Sequence, residues 1–245
     1  LIIGENNINQ YVFSFTSAGI LLIIAGLVAF NLKEVQNNTA DCHMRKISLC
    51  VSMSHNRLFI RLCIAEAFWW FTLSFAWPMF SAAYIIKLHA EKLEIAIASM
   101  LFNTTFAISQ MFLGYLVDKY GRKGILVPMR WIFPIYPIIW YIAWRIEFVY
   151  LANLIIGFVN ALATVAVMTY ILDITREEER ASFFAIYNMI VGLSQFTGSL
   201  VGGFLGDIIS MTTNPIVAIQ TVFLISALLR IFSAIPYHFL EETKK

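Results

Sequence analysis

Long apolar runs separated by short polar segments dominate the chain, and seven of them are long enough to cross a lipid bilayer. A span requires about 20 mostly apolar residues to cross roughly 30 Å of hydrocarbon. The runs show no alternation of polar and apolar residues of the kind found in barrel strands, so each predicts a helix. The predicted spans are Tyr11–Phe30, Leu62–Ile86, Ile95–Val117, Ile125–Trp144, Phe148–Leu172, Ser182–Gly206 and Ile216–Leu240.

Turn and capping residues support several of these boundaries. The stretch Thr175–Glu178 fits a capping box and predicts the start of the sixth helix. Asn214 and Pro215 fit the N-cap and the first position of the seventh helix. We expect Pro78 to bend the second helix, because a proline inside a helix removes a backbone hydrogen bond. The fourth helix should bend at its prolines, which are Pro128, Pro134 and Pro137.

Composition and charge set the environment and the orientation. The chain is 60% hydrophobic and 13% charged, whereas a soluble domain carries about 25% charged residues. This composition predicts an integral membrane protein, and we expect it in the plasma membrane. The positive-inside rule predicts that its N-terminus is outside and its C-terminus in the cytoplasm. The cations assigned to the cytoplasmic side are Lys33, Arg45, Lys46, Arg57, Arg61, Lys119, Arg122, Lys123, Arg176, Arg180, Lys244 and Lys245; those on the other side are Lys87, Lys92 and Arg145.

The spacing of the spans predicts three segments. Residues 1–31 contain a single transmembrane helix, residues 32–61 form a polar cytoplasmic linker, and residues 62–245 form a six-helix bundle. The fold class is therefore an all-α polytopic membrane protein with seven transmembrane helices.

The short stretch "GYLVDKYGRKG", from Gly114 to Gly124, concentrates charge between the third and fourth helices. Asp118 lies at a helix C-terminus, where the helix dipole disfavours an acid. It needs a partner, either Arg122 four residues on or the N-terminus of another helix. Gly114 would let that second helix approach closely. The charge pair could act as a gate that opens and closes, or as a static staple of the loop.

The same residues resemble the signature loop of the major facilitator superfamily, written G-x-L-x-D-x-x-G-R-K/R, with Gly114, Asp118, Gly121, Arg122 and Lys123 at the defined positions. The stretch from Asp173 to Asp207 resembles the loop and helix that follow the fourth span of each family half. The segments "NRLFIRLCIAEAFWWFTLSFAWPMF" and "LEETKK" resemble the start and the end of a C-terminal half.

This resemblance implies a fold and a function. Family members have two six-helix halves, so the chain resembles the last helix of an N-terminal half followed by a complete C-terminal half. It implies secondary active transport of a small solute by alternating access, with the N-terminal half missing from this chain. In such a transporter the five motif residues act in gating. Because the chain opens on Leu1, we expect the natural protein to be longer.

Polar residues inside the spans are candidates for the wall of a solute cavity, since they are costly in a membrane. The alternative is that they make hydrogen bonds between packed helices. For the glycine-rich stripe of the sixth helix, which includes Gly192 and Gly202, we favour packing. Aromatic side chains of the second helix could line a solute path or face lipid and core. The candidates are Asn103, Gln110, Asn160, Thr164, Asn188, Gln195 and Trp77.

Three ionisable residues fall inside the spans. Glu66 is a candidate for coupling transport to protons, although it could equally be wetted at the cytoplasmic end of its helix. We expect Arg130 and Arg230 to extend their side chains to the inner surface. The transporter could be coupled to protons or to another ion.

Other function classes fit less well. A seven-helix receptor or retinal-type protein is the alternative, but the last helix carries Arg230 and no central lysine for a Schiff base. We predict no enzyme activity, because no paired catalytic side chains lie at mid-span. We expect no cofactor, no nucleic-acid partner and no metal site, since no zinc-ligand spacing is present. The expected partners are the lipid bilayer, a small solute and the missing N-terminal half.

Overall fold

The computed structural model describes residues 56–243, together with Thr16, Ile20 and Ile23. The chain divides into two compact units, Leu1–Ile47 and Ser48–Lys245. In the first unit the three described residues are helical. The rest of the predicted span Tyr11–Phe30 lies outside the described residues, as does the predicted linker up to residue 55.

Every regular element within residues 56–243 is helical. Six stretches there are long and apolar enough to cross a membrane, and each overlaps one predicted span: Arg57–Lys87, Lys92–Tyr120, Arg122–Ile142, Ile146–Ile174, Glu177–Thr212 and Pro215–Phe239. The helices are α1 (Arg57–Ser74), α2 (Trp77–Ala82), α3 (Lys92–Tyr120), α4 (Arg122–Ile132), α5 (Ile135–Ile142), α6 (Ile146–Ile174), α7 (Arg180–Thr212) and α8 (Pro215–Ala234), with a π-helix at Ala83–Lys87 and 3-10 turns at Glu177–Glu179 and Ile235–Phe239.

Two of the spans are broken beside a proline. The first breaks between α1 and α2, and Pro78 lies in the opening turn of α2. The second breaks between α4 and α5, where Pro134 occupies the N-cap of α5. Pro128 lies inside α4 without a break. The bends predicted at Pro78 and Pro134 are therefore confirmed, and each leaves backbone groups that need other partners.

Side chains cap several helix ends. Asn56 accepts a hydrogen bond from the backbone of Phe59 at 3.1 Å, and its amide donates to the carbonyl of Ile174 at 2.9 Å. The predicted cap at Asn214 is confirmed, since it accepts from the backbone N–H of Ile216 at 2.9 Å. The predicted capping box at Thr175 is wrong: its hydroxyl donates backwards to the end of α6, and α7 begins only at Arg180.

Glycines allow close packing of α1 along α7, and Gly157 does the same for α6 along α3. Gly198 and Gly202 lie directly against the backbone of Phe71 and Phe75 on the opposite chain segment, where no Cβ would fit. The packing role predicted for the glycine stripe is thus confirmed at Gly202, and Gly198, which was not in the predicted stripe, plays the same part. Gly192, on the same helix, has no atom within 4 Å of an ideal Cβ.

Candidate functional site

The turn between α3 and α4 carries the charged motif. α3 continues to Tyr120, beyond the end predicted near Val117, and Gly121 follows with φ +85°. α4 begins at the next residue, so a single glycine connects two spans. Asp118 lies in the last turn of α3, and its carboxylate is 3.2 Å from the guanidinium of Arg122. Of the two partners predicted for Asp118, Arg122 is the one found.

Arg122 also reaches α6. Its Nε lies 2.7 Å from Oδ2 of Asp173, in the last turn of that helix. The Arg122 side chain is 15% exposed, whereas that of Asp118 is 68% exposed. The guanidinium is therefore held between two acids, and the exposed acid is the one accessible to further partners.

The C-terminal segment completes this arrangement. The carboxylate of Glu242 accepts hydrogen bonds from the backbone N–H groups of Arg122 at 2.9 Å and Gly124 at 3.3 Å. It thereby caps the positive N-terminus of α4. The hydroxyl of Thr243 donates to Oδ2 of Asp173 at 3.1 Å. We call Asp118, Arg122, Asp173, Glu242 and Thr243 the loop cluster.

The other two motif residues lie beside this cluster. Lys123 donates from Nζ to the backbone carbonyl of His238 at 2.7 Å, which ties α4 to the last 3-10 turn. Gly114 has no atom within 4 Å of an ideal Cβ. The close helix approach predicted at Gly114 is therefore not made by any residue in 56–243.

Sequence reasoning missed Asp173 and Glu242 as members of the site. Sequence reasoning could have identified both residues. Asp173 begins the stretch "DITREEER" and Glu242 lies in "LEETKK", two segments that resemble family sequences. Each is an acid just beyond an apolar run, near the cations of the hairpin in the predicted topology. That combination is the signal that could have identified them.

A second charged group is buried inside the bundle. Nη2 of Arg130 lies 2.6 Å from Oε1 of Glu66, and both side chains are almost fully buried. The Glu66 carboxylate also accepts hydrogen bonds from Tyr237 at 2.7 Å, Tyr187 at 3.1 Å and the Trp70 indole at 3.0 Å. Four donors therefore converge on the two oxygens of this one carboxylate.

Two predictions about charged residues in the spans are wrong, and one of the two alternatives for Glu66 does not hold. Arg130 does not extend to the surface, because its guanidinium lies 4.3 Å from the centre of the Trp69 ring and pairs with Glu66. Arg230 is buried as well and donates to backbone carbonyls inside the bundle. Glu66 is not wetted at a helix end, since it is fully buried. Helix packing turns all three side chains inward.

Two neighbouring cavities lie among these helices. The larger, of about 530 Å³, we call the aromatic cavity, and the smaller, of about 310 Å³, the polar cavity. Trp70, Asn160 and Gln195 line both, so the two cavities adjoin. The aromatic cavity is further lined by Leu73, Trp77, Phe80, Tyr84, Ser99, Phe102, Asn103, Phe133, Tyr136, Trp140, Asn153, Ile156 and Arg230. The polar cavity is further lined by Glu66, Arg130, Ala163, Thr164, Val167, Met168, Tyr187, Asn188, Val191 and Gly192.

The structure brings most of the predicted cavity residues together. Asn103 and Trp77 line the aromatic cavity, and Thr164 and Asn188 line the polar cavity. Asn160 and Gln195 lie where the two meet. Gln110 lines neither cavity. The sequence did not identify Arg230 or the aromatic side chains of α5 as part of this wall.

Comparisons with known proteins identify a family for most of the chain. A family model described as Major Facilitator Superfamily matches residues 62–245. The chain is 31% identical over 96 residues to Hexose transporter 1 of Plasmodium yoelii yoelii, covering 39% of this chain and 19% of that protein. It is 29% identical over 104 residues to Multidrug resistance protein 2 of Bacillus subtilis (strain 168), covering 41% of this chain and 26% of that protein. The chain thus covers about a fifth and about a quarter of these relatives.

Proposed function

The chain belongs to the Major Facilitator Superfamily, and from that membership we propose that it is the C-terminal portion of a secondary active transporter. The protein moves a small solute by alternating access, and the solute occupies the aromatic and polar cavities. The loop cluster is the observation that carries this proposal. It joins the α3–α4 turn, the end of α6 and the C-terminal segment by charged contacts at one end of the bundle.

The loop cluster is suited to gating because its members differ in exposure. Arg122 is held by Asp173 and by the cap on its own helix, whereas Asp118 is 68% exposed and pairs with a residue four positions away. An exposed ion pair is weak. Asp118 is therefore the member that exchanges partners when the transporter changes state, and Arg122 and Lys123 are the cations that it leaves or joins.

A second six-helix half supplies the opposite wall of the cavities. The matches cover only 19% and 26% of the two relatives, which are therefore much longer than the matched segment, and this supports the proposal. Large apolar side chains such as Met111 on α3 and Phe204 on α7 are also exposed. Gly114 lies open beside the loop cluster, so a helix of the other half can approach Asp118 there.

The distribution of cations supports an orientation. The topology predicted from the sequence assigns twelve cations to the side of the loop cluster and three to the other side. By the positive-inside rule we infer that the loop cluster faces the cytoplasm, in a protein of the plasma membrane. The first helix then begins outside the cell.

Coupling is proposed to act through Glu66. This acid lies in a membrane span and lines the polar cavity, where a proton can arrive with the solute. Protonation would remove the negative charge that neutralises Arg130, and a lone buried guanidinium is costly. Uptake of a proton would therefore favour separation of α1 from α4, which links proton binding to a change in conformation. Membership of a transporter family favours this account over a receptor or a retinal protein.

Exchange of labelled solute tests the proposed function. The full-length protein is reconstituted in liposomes and assayed with glucose, ethidium and phenylacetate, because the relatives' names indicate a sugar and drugs and the cavity wall is rich in aromatic rings. We expect saturable exchange of at least one class without ATP. Flux that does not saturate, or that requires ATP, would contradict alternating access by a secondary transporter.

A further inference from the structure

The aromatic cavity contains a buried positive charge without a described counter-charge. Arg230, on α8, lines this cavity and is 1% exposed. Across residues 56–243, no aspartate or glutamate forms an ion pair with its guanidinium. No acidic residue lines the cavity either.

Backbone carbonyls hold this guanidinium in place. Nη2 donates to the carbonyl of Leu73 at 3.1 Å, and Nη1 donates to the carbonyl of Phe133 at 3.5 Å. The carbonyl of Phe133 also accepts from the backbone N–H of Tyr136 at 3.1 Å, but Pro137, four residues on, has no N–H to donate to it. Nε of Arg230 has no hydrogen-bond partner in the described part of the chain. The carbonyls fix the direction of the side chain, but they carry no net charge and leave a donor unused.

The second buried arginine shows what is missing. Arg130 is buried to a similar degree, yet it has a carboxylate 2.6 Å away. An unpaired charge inside a membrane bundle is expensive, and such residues mark binding sites for ligands or ions. Arg230 lies in the wall of a cavity, so a bound solute can provide the negative charge.

The rest of the cavity wall indicates the body of that solute. The rings of Phe80, Tyr136 and Trp140 form a packed group, with Phe80 and Trp140 centred 4.9 Å apart. Asn160 and Gln195 add neutral amides at the boundary with the polar cavity. This wall suits an apolar or aromatic body with few polar groups.

We propose that the aromatic cavity binds a small organic anion, with one carboxylate on Arg230 and an apolar or aromatic body against the rings of α2 and α5. This inference rests on the proposed function, since it names the class of solute that the transporter carries. One guanidinium matches one anionic group, so monocarboxylates are favoured over dicarboxylates and over neutral sugars.

Matched acids and amides test the proposal in the unmodified protein. Binding of benzoate, phenylacetate and phenylpropionate to the full-length protein in detergent is compared with binding of their primary amides, which have nearly the same shape. We expect at least one acid to bind roughly 10- to 100-fold more tightly than its amide, as a hydrogen-bonded charge pair provides. Equal binding, or tighter binding of every amide, would overturn the proposal.

Substitutions at Arg230 separate charge recognition from a purely structural role. Arg230→Gln should remove the preference for acid over amide, and Arg230→Lys should keep a reduced preference. Arg145→Gln, at an exposed arginine, should behave like the wild type. If Arg230→Gln folds and retains the full acid preference, the guanidinium does not bind the anion. If Arg230→Gln does not fold, Arg230→Lys decides instead. An acid preference in Arg230→Lys as large as that of the wild type would contradict the proposal.

The same assays distinguish this inference from the proposed function. Saturable exchange of glucose or ethidium, with no acid preferred over its amide, overturns the anion site and leaves the transporter standing. Tight acid binding that depends on Arg230, with no exchange of any solute, supports the anion site and contradicts transport.

Discussion

The carboxylate of Glu242 accepts a hydrogen bond from the backbone N–H of Arg122 at 2.9 Å, across 120 positions of sequence. The guanidinium of the same Arg122 pairs with Asp118 and Asp173. One residue is thus held through its backbone by the C-terminal segment and through its side chain by two helix ends. The C-terminal segment and the charged hairpin therefore form one unit, and a change in either should be felt by the other.

Loss of the Glu242 cap should loosen the start of α4. We expect Glu242→Ala to lower the free energy of unfolding by about 1 kcal/mol, as for other helix caps, and to speed hydrogen exchange at the amides of Arg122 and Gly124. Glu241→Ala is the matched control, because Glu241 pairs with Arg61 at the surface and such pairs contribute little. Equal exchange rates in the two variants would contradict the capping role.

The buried pair of Glu66 and Arg130 should show strong coupling. Arg130→Met leaves the carboxylate without its counter-charge and should cost about 3–5 kcal/mol of unfolding free energy. Glu66→Met is the second single variant. Replacing both residues by Met should lower the free energy of unfolding by clearly less than the sum of the two single changes. Unfolding of the three variants in detergent gives the comparison, and additive losses within about 0.5 kcal/mol would show that the two side chains act independently.

A methyl group at Gly202 should disturb the packing of α7 on α1. The added Cβ would overlap the backbone of Phe75, so Gly202→Ala should destabilise the protein by about 1–3 kcal/mol. Gly192→Ala is the control on the same helix, because its Cβ meets open space and alanine favours helix by about 0.5–1 kcal/mol. The melting temperature of Gly202→Ala should therefore be lower than that of the wild type, and that of Gly192→Ala should not be. A Gly202→Ala protein that melts at the wild-type temperature would refute the close contact.

Much of the fold follows from local sequence. The spans are set by the length of apolar runs, and the breaks before Pro78 and at Pro134 follow from a missing backbone N–H. The pairing of Asp118 with Arg122 is local too, since the residues are one helical turn apart. For such features the residues that interact are neighbours in the chain.

The parts that could not be predicted depend on distant contacts. Glu66 and Arg130 are 64 positions apart, and only the packing of α1 against α4 brings them together. Arg130 and Arg230 were expected to extend their side chains to the inner surface, and this prediction was wrong. Their distance from the surface can be counted along the sequence, but the sequence does not show which side of each helix faces the core. Thr175 fitted a cap for α7, yet its hydroxyl bonds to the helix that precedes it.

The proposed coupling at Glu66 makes a prediction that differs from a structural role. Glu66→Gln cannot take up a proton, so uptake driven by a pH gradient should be abolished while exchange of solute at equal pH continues. A purely structural role would reduce both assays together. Unchanged pH-driven uptake in Glu66→Gln liposomes would rule out Glu66 as the coupling residue.

The most direct test of the gating account is the exchange rate of Asp118→Asn in liposomes that contain equal amounts of inserted full-length protein. The substitution keeps the size of the side chain and removes the charge that Arg122 meets at 3.2 Å. Glu178→Gln, at an exposed acid beside α7, is the control and should exchange like the wild type. The account predicts that Asp118→Asn inserts normally and exchanges solute roughly tenfold more slowly, equivalent to about 1.4 kcal/mol in the barrier. Exchange at the wild-type rate would contradict it and leave the motif as a loop that only sets orientation in the membrane.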